Sequence, residues 1–272
     1  MQIQHNIQAI NSSRNLGINN KALAKNLEKL SSGYRINRAG DDAAGLAISE
    51  QMRSQINGLN QAATNAEDAI GLIQTAEGAL TETHSMLQRL VTLGTQAANA
   101  TMNTTSLSNI RVEADSLLKE IDRIANYTDF NGTKPLLAGT GTLTFQIGPT
   151  AGETLSVAPQ TMTTGGIMSA VTSESFNNKV TANAALTSIN AAIDTVSKYR
   201  ASLGAAQNRL EHTVNSLKVT SENIQDAESR IRDTNMPTEI TSFTKNNILL
   251  QASQSMLSQS NAVPQSVLSL LG

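Results

Sequence analysis

LTSINAAIDTVSKYRASLGAAQNRLEHTVNSLKVTSENIQDAESRI occupies residues 186–231. Alternate steps of three and four from its first residue visit Leu186, Ile189, Ile193, Val196, Arg200, Leu203, Gln207, Leu210, Val214, Leu217, Ser221, Ile224, Glu228 and Ile231. Ten of these fourteen positions are apolar, against 39% for the whole chain. Such an alternation, sustained over this many turns, predicts one long amphipathic helix with a coiled-coil-like seam. Gly204 costs about 1 kcal/mol against Ala in a helix interior and does not break the pattern. The four polar seam residues, Arg200, Gln207, Ser221 and Glu228, read as register-setting or solvent-facing groups rather than catalytic ones.

Two more seams of this kind lie upstream. The first runs Met52, Ile56, Leu59, Ala63, Ala66, Ile70, Ile73, Glu77, Leu80, His84, Leu87, Val91, Gly94, a helix of about 60 Å at 1.5 Å per residue. The second is shorter: Leu107, Ile110, Ala114, Leu117, Ile121, Ile124. Gly94 and the stretch from Ala97 to Ser106 separate them, which predicts antiparallel neighbours. Three amphipathic helices can bury their stripes only on one another, so a long bundle is expected. Between the arms, Phe130 to Phe176 opens with the turn dipeptide Asn131-Gly132. It then alternates in Leu143–Ile147 and Thr154–Val157, predicting one or two β-hairpins.

The ends form a separate problem. Ile3, Ile7, Ile10, Leu16, Leu23, Leu27 and Leu30 lie on helical faces near the N-terminus; Ile240, Phe243, Ile248, Leu250, Met256, Leu257, Val263, Val267, Leu268, Leu270 and Leu271 do so near the C-terminus. Breaks at Gly33–Gly40 and Asp233–Pro237 set them apart from the bundle helices. An isolated amphipathic end of this length is marginal in water. Burying each Leu or Ile stabilises by about 1.5–3 kcal/mol, so the ends gain most by pairing with each other and with copies of themselves. They are expected to be disordered in a free monomer and to fold on assembly.

Composition narrows the function. Net charge is −2 and pI near 5.9, which argues against a nucleic-acid partner. Without Trp, and with 3% aromatics, stacking platforms are scarce. The absence of Cys removes disulfides, thiol catalysis and thiolate metal sites. No basic-then-apolar leader opens the chain, so any export would need a route without a cleaved signal. No run approaches the ~18 apolar residues of a membrane span, so no membrane insertion is expected. His5, His84 and His212 include no i, i+4 metal pair. Asp41-Asp42 reads as a helix cap, Gly139-Thr140-Gly141 as a loop, and the Asn-x-Ser/Thr triplets at Asn11, Asn103, Asn126 and Asn131 as chance matches. No phosphate loop, dinucleotide fingerprint or nucleophile elbow is present. A non-enzymatic protein with no cofactor and no metal is expected.

LEKLSSGYRINRAGDDAAGLAISEQM, residues 27–52, closely resembles the N-terminal signature of the bacterial flagellins. Gly71–Leu80, Phe130-Asn131-Gly132, Leu203–Glu211, Ala227–Asp233 and the ending from Gln251 to Leu271 resemble the same family. The likeness covers residues 1–135 and 186–272. It implies a structural subunit that polymerises into the filament of the flagellum for motility. The subunit would be secreted unfolded, its C-terminal segment held by an export chaperone, and would meet cap and junction proteins. It further implies a mainly α fold: a long antiparallel helical bundle with a small β-hairpin region, and both termini forming a second coiled-coil domain. The divisions expected are 1–43, the N-terminal half of that inner domain with its linker; 44–135, the N-terminal bundle helices; 136–180, the hairpin region; 181–232, the C-terminal bundle helix; and 233–272, the C-terminal half of the inner domain. The polymerisation residues expected are Ile3, Ile7, Ile10, Leu23, Leu27, Leu30, Ile240, Phe243, Leu250, Leu257, Val267, Leu270 and Leu271.

Some flagellins are detected by the animal innate receptor TLR5, and the resemblance carries that pattern to Arg89, Leu93 and Glu113. Val91 and Thr92 replace its usual charged pair. The alternatives are a hook–filament junction protein of the same terminal architecture, a cytoplasmic coiled-coil adaptor, and an enzyme carried on the filament. The adaptor leaves the apolar stripes at both ends unexplained. The enzyme lacks an insertion large enough to hold a site.

Overall fold

A computed structural model of the chain describes residues 6–271, with Thr140 and residues 265–271 described by backbone alone. Ile3 lies outside the described residues, as do the side chains of Val267, Leu270 and Leu271. In order, the elements are α1 (Ile7–Ser32), α2 (Ala43–Ala97), α3 (Thr104–Tyr127), β1 (Leu143–Gln146), β2 (Thr154–Val157), α4 (Thr164–Ile167), α5 (Lys179–Arg232) and α6 (Met236–Leu271). They form two compact units. One comprises Asn57–Ser221; the other comprises the residues up to Ile56 and from Glu222 onward.

In the Asn57–Ser221 unit, α2, α3 and α5 share one apolar cluster. Cross-helix pairs run in opposite directions along α2 and α5: Ser221 Oγ donates to Asn60 Oδ1 at 3.0 Å, Lys218 pairs with Glu67 at 2.8 Å, and Arg200 with Glu77 at 3.5 Å. The two helices are therefore antiparallel. Glu77 and Arg200, the polar interruptions of two separate seams, answer each other at the bundle's flank.

The expected seams hold in one half of their positions and shift in the other. Leu59, Ala66, Ile73, Leu80 and Leu87 are buried on α2, but their companions are Ala62, Ala69, Ala76, Thr83 and Leu90. Ile70, Glu77, His84 and Val91, one residue later, are half-buried. The same shift occurs on α5, where Ala185, Ala192, Tyr199 and Ala206 are buried and Leu186, Ile193, Arg200 and Gln207 flank them. Small residues face the centre because three helix backbones converge there, and longer side chains reach in from the sides. Gly94, expected to end the first helix, lies within α2. A Cβ built on it would sit 2.8 Å from Leu186 Cδ2, so its value is close approach, and the break falls at residues 98–103 instead.

The middle region is one two-stranded hairpin plus one tight turn. β1 and β2 pair antiparallel, with Leu143 opposite Val157 and Phe145 opposite Leu155. Asn131 (φ 51°) and Gly132 (φ 82°) both lie in the left-handed region that a two-residue primed turn requires. Phe130 and Thr133 close it with reciprocal bonds of 2.9 and 3.0 Å. Leu136, Leu155, Val157, Met162, Met168, Val171 and Phe176 all belong to the helical cluster, so the middle completes the core rather than hanging from it. Asp122 of α3 ties it down, accepting from the Thr164 N–H at 2.7 Å and from its hydroxyl at 2.8 and 2.9 Å. The Tyr199 hydroxyl donates to Pro135 O at 3.0 Å, and burial holds that phenol above its usual 10.0.

Many hydroxyls, mostly at the surface, bond to their own helix. On α2, Thr64, Thr75, Thr81, Thr83, Ser85 and Thr95 each donate to the carbonyl four residues back, at 2.8–3.1 Å.

Candidate assembly surface at the chain ends

In the unit that holds both ends, the two linkers are clasped together. α1 ends at Gly33, which takes the left-handed conformation (φ 76°) and donates its N–H to Lys29 O. Tyr34 then bridges Asp233, the Arg35 N–H donates to Arg232 O at 2.7 Å, and the Thr234 N–H donates to Gly33 O at 2.9 Å. The Arg232 guanidinium lies 4.8 Å from the centre of the Tyr34 ring and pairs with Glu50 at 2.7 Å. Ile36 is buried. Asp42 caps α2, accepting from the Gly45 N–H at 2.9 Å. Its neighbour Asp41, also expected as a cap, pairs instead with Lys25 at 2.7 Å. Pro237, placed by the sequence in the break at Asp233–Pro237, falls instead in the first turn of α6, where a missing N–H costs nothing.

The Lys25 ammonium, chiefly through its hydrogen bond, holds the Asp41 carboxyl below the usual 3.8; Asp41 in turn raises Lys25 above 10.5. The carboxylate's contribution is present above 3.8 and is lost as pH falls through its lowered value. The ammonium's is present below 10.5 and is lost as pH rises through its raised value. The linker is therefore latched between those limits. Because Asp41 Oδ2 also accepts the Asn37 and Arg38 N–H groups at 3.3 Å each, Asp41→Asn at neutral pH is expected to speed tryptic cleavage after Arg38. An unchanged cleavage rate would remove the latch.

From this clasp α1 and α6 run antiparallel, as three polar links show: Lys29 with Glu239 at 4.0 Å, Asn19 Nδ2 to Ser253 Oγ at 2.8 Å, and Asn6 Nδ2 to Ser260 O at 2.8 Å. The facing stripes alternate apolar and polar. They are Ser12, Leu16, Asn19, Leu23, Asn26 and Leu30 on α1, and Phe243, Asn246, Leu250, Ser253, Leu257 and Ser260 on α6, with Asn26 buried and the rest half-buried. Leu23, Leu30, Phe243, Leu250 and Leu257 thus serve the pair. Ile7, Ile10, Leu27 and Ile240 do not; they are exposed, Ile10 at 60%. Ile18, Ile248 (61%), Leu249, Met256 and Val263 are exposed apolar side chains too. Ile18 and Leu249 were missed in the sequence because each lies off the first-drawn stripe.

The residues expected to meet a receptor separate. Arg89 and Glu113 join across α2 and α3 at 2.7 Å, both about half exposed. Leu93 is 1% exposed; it points into the core and presents nothing to a partner. Among the described residues no three His, Asp or Glu side chains converge as metal ligands, and no helix is long and apolar enough to cross a membrane.

Residues 3–142 match the bacterial flagellin N-terminal helical region, and residues 186–271 match the bacterial flagellin C-terminal helical region. The chain is 50% identical to a flagellin of Bacillus subtilis (strain 168) and 49% identical to a flagellin of Halalkalibacterium halodurans, each alignment covering 100% of both chains. It superposes on the crystal structure of Bacillus cereus flagellin with a TM-score of 0.52 and 30% identity, over 57% of this chain and 88% of that one. With its long helices, its single hairpin and its full-length relatives, the chain belongs to the bacterial flagellins.

Proposed function

We propose that this chain is the repeating subunit of a flagellar filament and polymerises through its paired terminal helices. One observation carries the reading: after α1 and α6 have buried one stripe against each other, Ile7, Ile10, Ile18 and Leu27 on α1 and Ile240, Ile248, Leu249, Met256 and Val263 on α6 stay exposed. Each of these side chains gains further burial only against a partner, and a second copy of the same ends can supply it. In this reading the ends order on assembly, the subunit is exported without a cleaved signal to an extracellular filament, and it meets an export chaperone and cap or junction proteins on the way. Its role is structural, without catalysis. The test compares the full chain with residues 44–231 by electron microscopy and sedimentation. Only the full chain is expected to form long filaments; failure of both, even with filament seeds, would favour the hook–filament junction role.

A second reading rests on the exposed Arg89–Glu113 pair. It is a site at which TLR5 meets the bundle, with Leu93 holding the helix from beneath rather than touching the receptor. Arg89→Ala is expected to weaken receptor binding by about 1–3 kcal/mol without altering the fold. Unchanged binding would end the assignment.

A further inference from the structure

The stripes joining α1 to α6 repeat every seven residues: Leu16, Leu23 and Leu30 on one helix, Phe243, Leu250 and Leu257 on the other. A slip of one heptad, about 10 Å, would again set large apolar side chains against each other. Burial alone therefore separates the two registers weakly. The intervening polar positions repeat as well, with Ser12, Asn19 and Asn26 facing Asn246, Ser253 and Ser260. After a slip Asn19 would still meet a small polar side chain, and a polar seam residue specifies register only where its partner is unique.

Near the clasp the Lys29–Glu239 pair has no heptad counterpart; at the far end of the helices a second such element lies. Pro264 lies inside α6 and has no N–H to donate to the Ser260 carbonyl four residues back. Asn6 Nδ2 donates to that same carbonyl at 2.8 Å, while Asn6 Oδ1 accepts the Ala9 N–H at 3.1 Å and caps α1. We infer that Asn6 is a positioning residue that holds the register of the terminal pair at the end far from the Gly33–Thr234 clasp, by recognising the carbonyl uncovered by Pro264. One heptad nearer the clasp, Asn6 would face the Ser253 carbonyl, which the Leu257 N–H serves within the helix. The amide would then gain no equivalent bond. The consequence for polymerisation rests on the filament reading; the register itself does not.

Because the chain has no Cys, introduced pairs report register directly in the full chain under assembly conditions. Asn19→Cys with Ser253→Cys reads the observed register; Asn19→Cys with Asn246→Cys or with Ser260→Cys reads a slip in either direction, since thiols about 10 Å out of register cannot bridge. Asn6→Asp keeps the capping acceptor but cannot donate to Ser260 O, so it separates register from capping. It is expected to lower the ratio of observed to slipped cross-link by about fivefold. Pro264→Ala returns an N–H to the helix and should make the ratio indifferent to Asn6→Asp. A ratio unmoved by Asn6→Asp, or equally moved in the Pro264→Ala background, overturns the inference. Sedimentation of the unsubstituted chain is scored separately: its failure to polymerise would count against the filament reading, while the cross-link ratio still judges Asn6.

Discussion

Phe176→Ala is expected to destabilise the bundle by about 3–5 kcal/mol, near the upper end for a single core truncation. Phe176 is fully buried and is the largest side chain that the middle region sends into the helical cluster. It sits over Gly94, where its Cε1 lies 3.6 Å from a Cβ built there, beside Leu186. The helices approach closely at that point, so neighbouring side chains have little freedom to collapse into the void. Urea unfolding of the full chain, followed by circular dichroism because there is no Trp, should show a lower midpoint with an unchanged slope. A loss below about 1 kcal/mol would mean that the segment around Phe176 is peripheral to the core.

Ile248→Asp should have the opposite profile. In the single chain Ile248 is 61% exposed, so stability of the free subunit should change by less than about 0.5 kcal/mol. Polymerisation should fail, with the critical concentration rising more than about a hundredfold, because a carboxylate would be taken from water into an apolar contact without a partner. Ser258→Asp, an exposed polar position on the same helix, supplies the control and should assemble. Normal filaments from Ile248→Asp would place the contact between copies elsewhere.

The sequence reading succeeded where period alone decides. The three long helices, the hairpin runs and the breaks beside the ends all follow from spacing. It erred where hydrophobicity and burial part company: Ile70 and Val91 outrank Ala69 and Ala76 on any apolar scale, yet the alanines occupy the centre. Glu77 and His84 on the chosen stripe were the legible warning, since a true core stripe seldom carries both. Leu93 was named from the family resemblance and not from spacing; it is buried, on the side of α2 that the first-drawn seam left outside. At the ends, periodicity marked the sticky faces but not which face pairs within the chain. The paired face also carries Asn6, Asn19 and Asn26, whose polarity hides them from a hydrophobic count. The Arg232–Tyr34–Glu50 clasp joins residues far apart in the chain and left no local signal.

The hydroxyls that bond back along α2 have a mechanical meaning. Each one shares a carbonyl already engaged by the helix ladder and slightly loosens that turn, and such back-bonding is a recognised source of gentle bending. With donors at Thr64, Thr75, Thr81, Thr83, Ser85 and Thr95, the back-bonded turns are spread along the helix rather than gathered at one kink. A helix of this kind is expected to curve gently along its length, many small bends adding to one smooth arc.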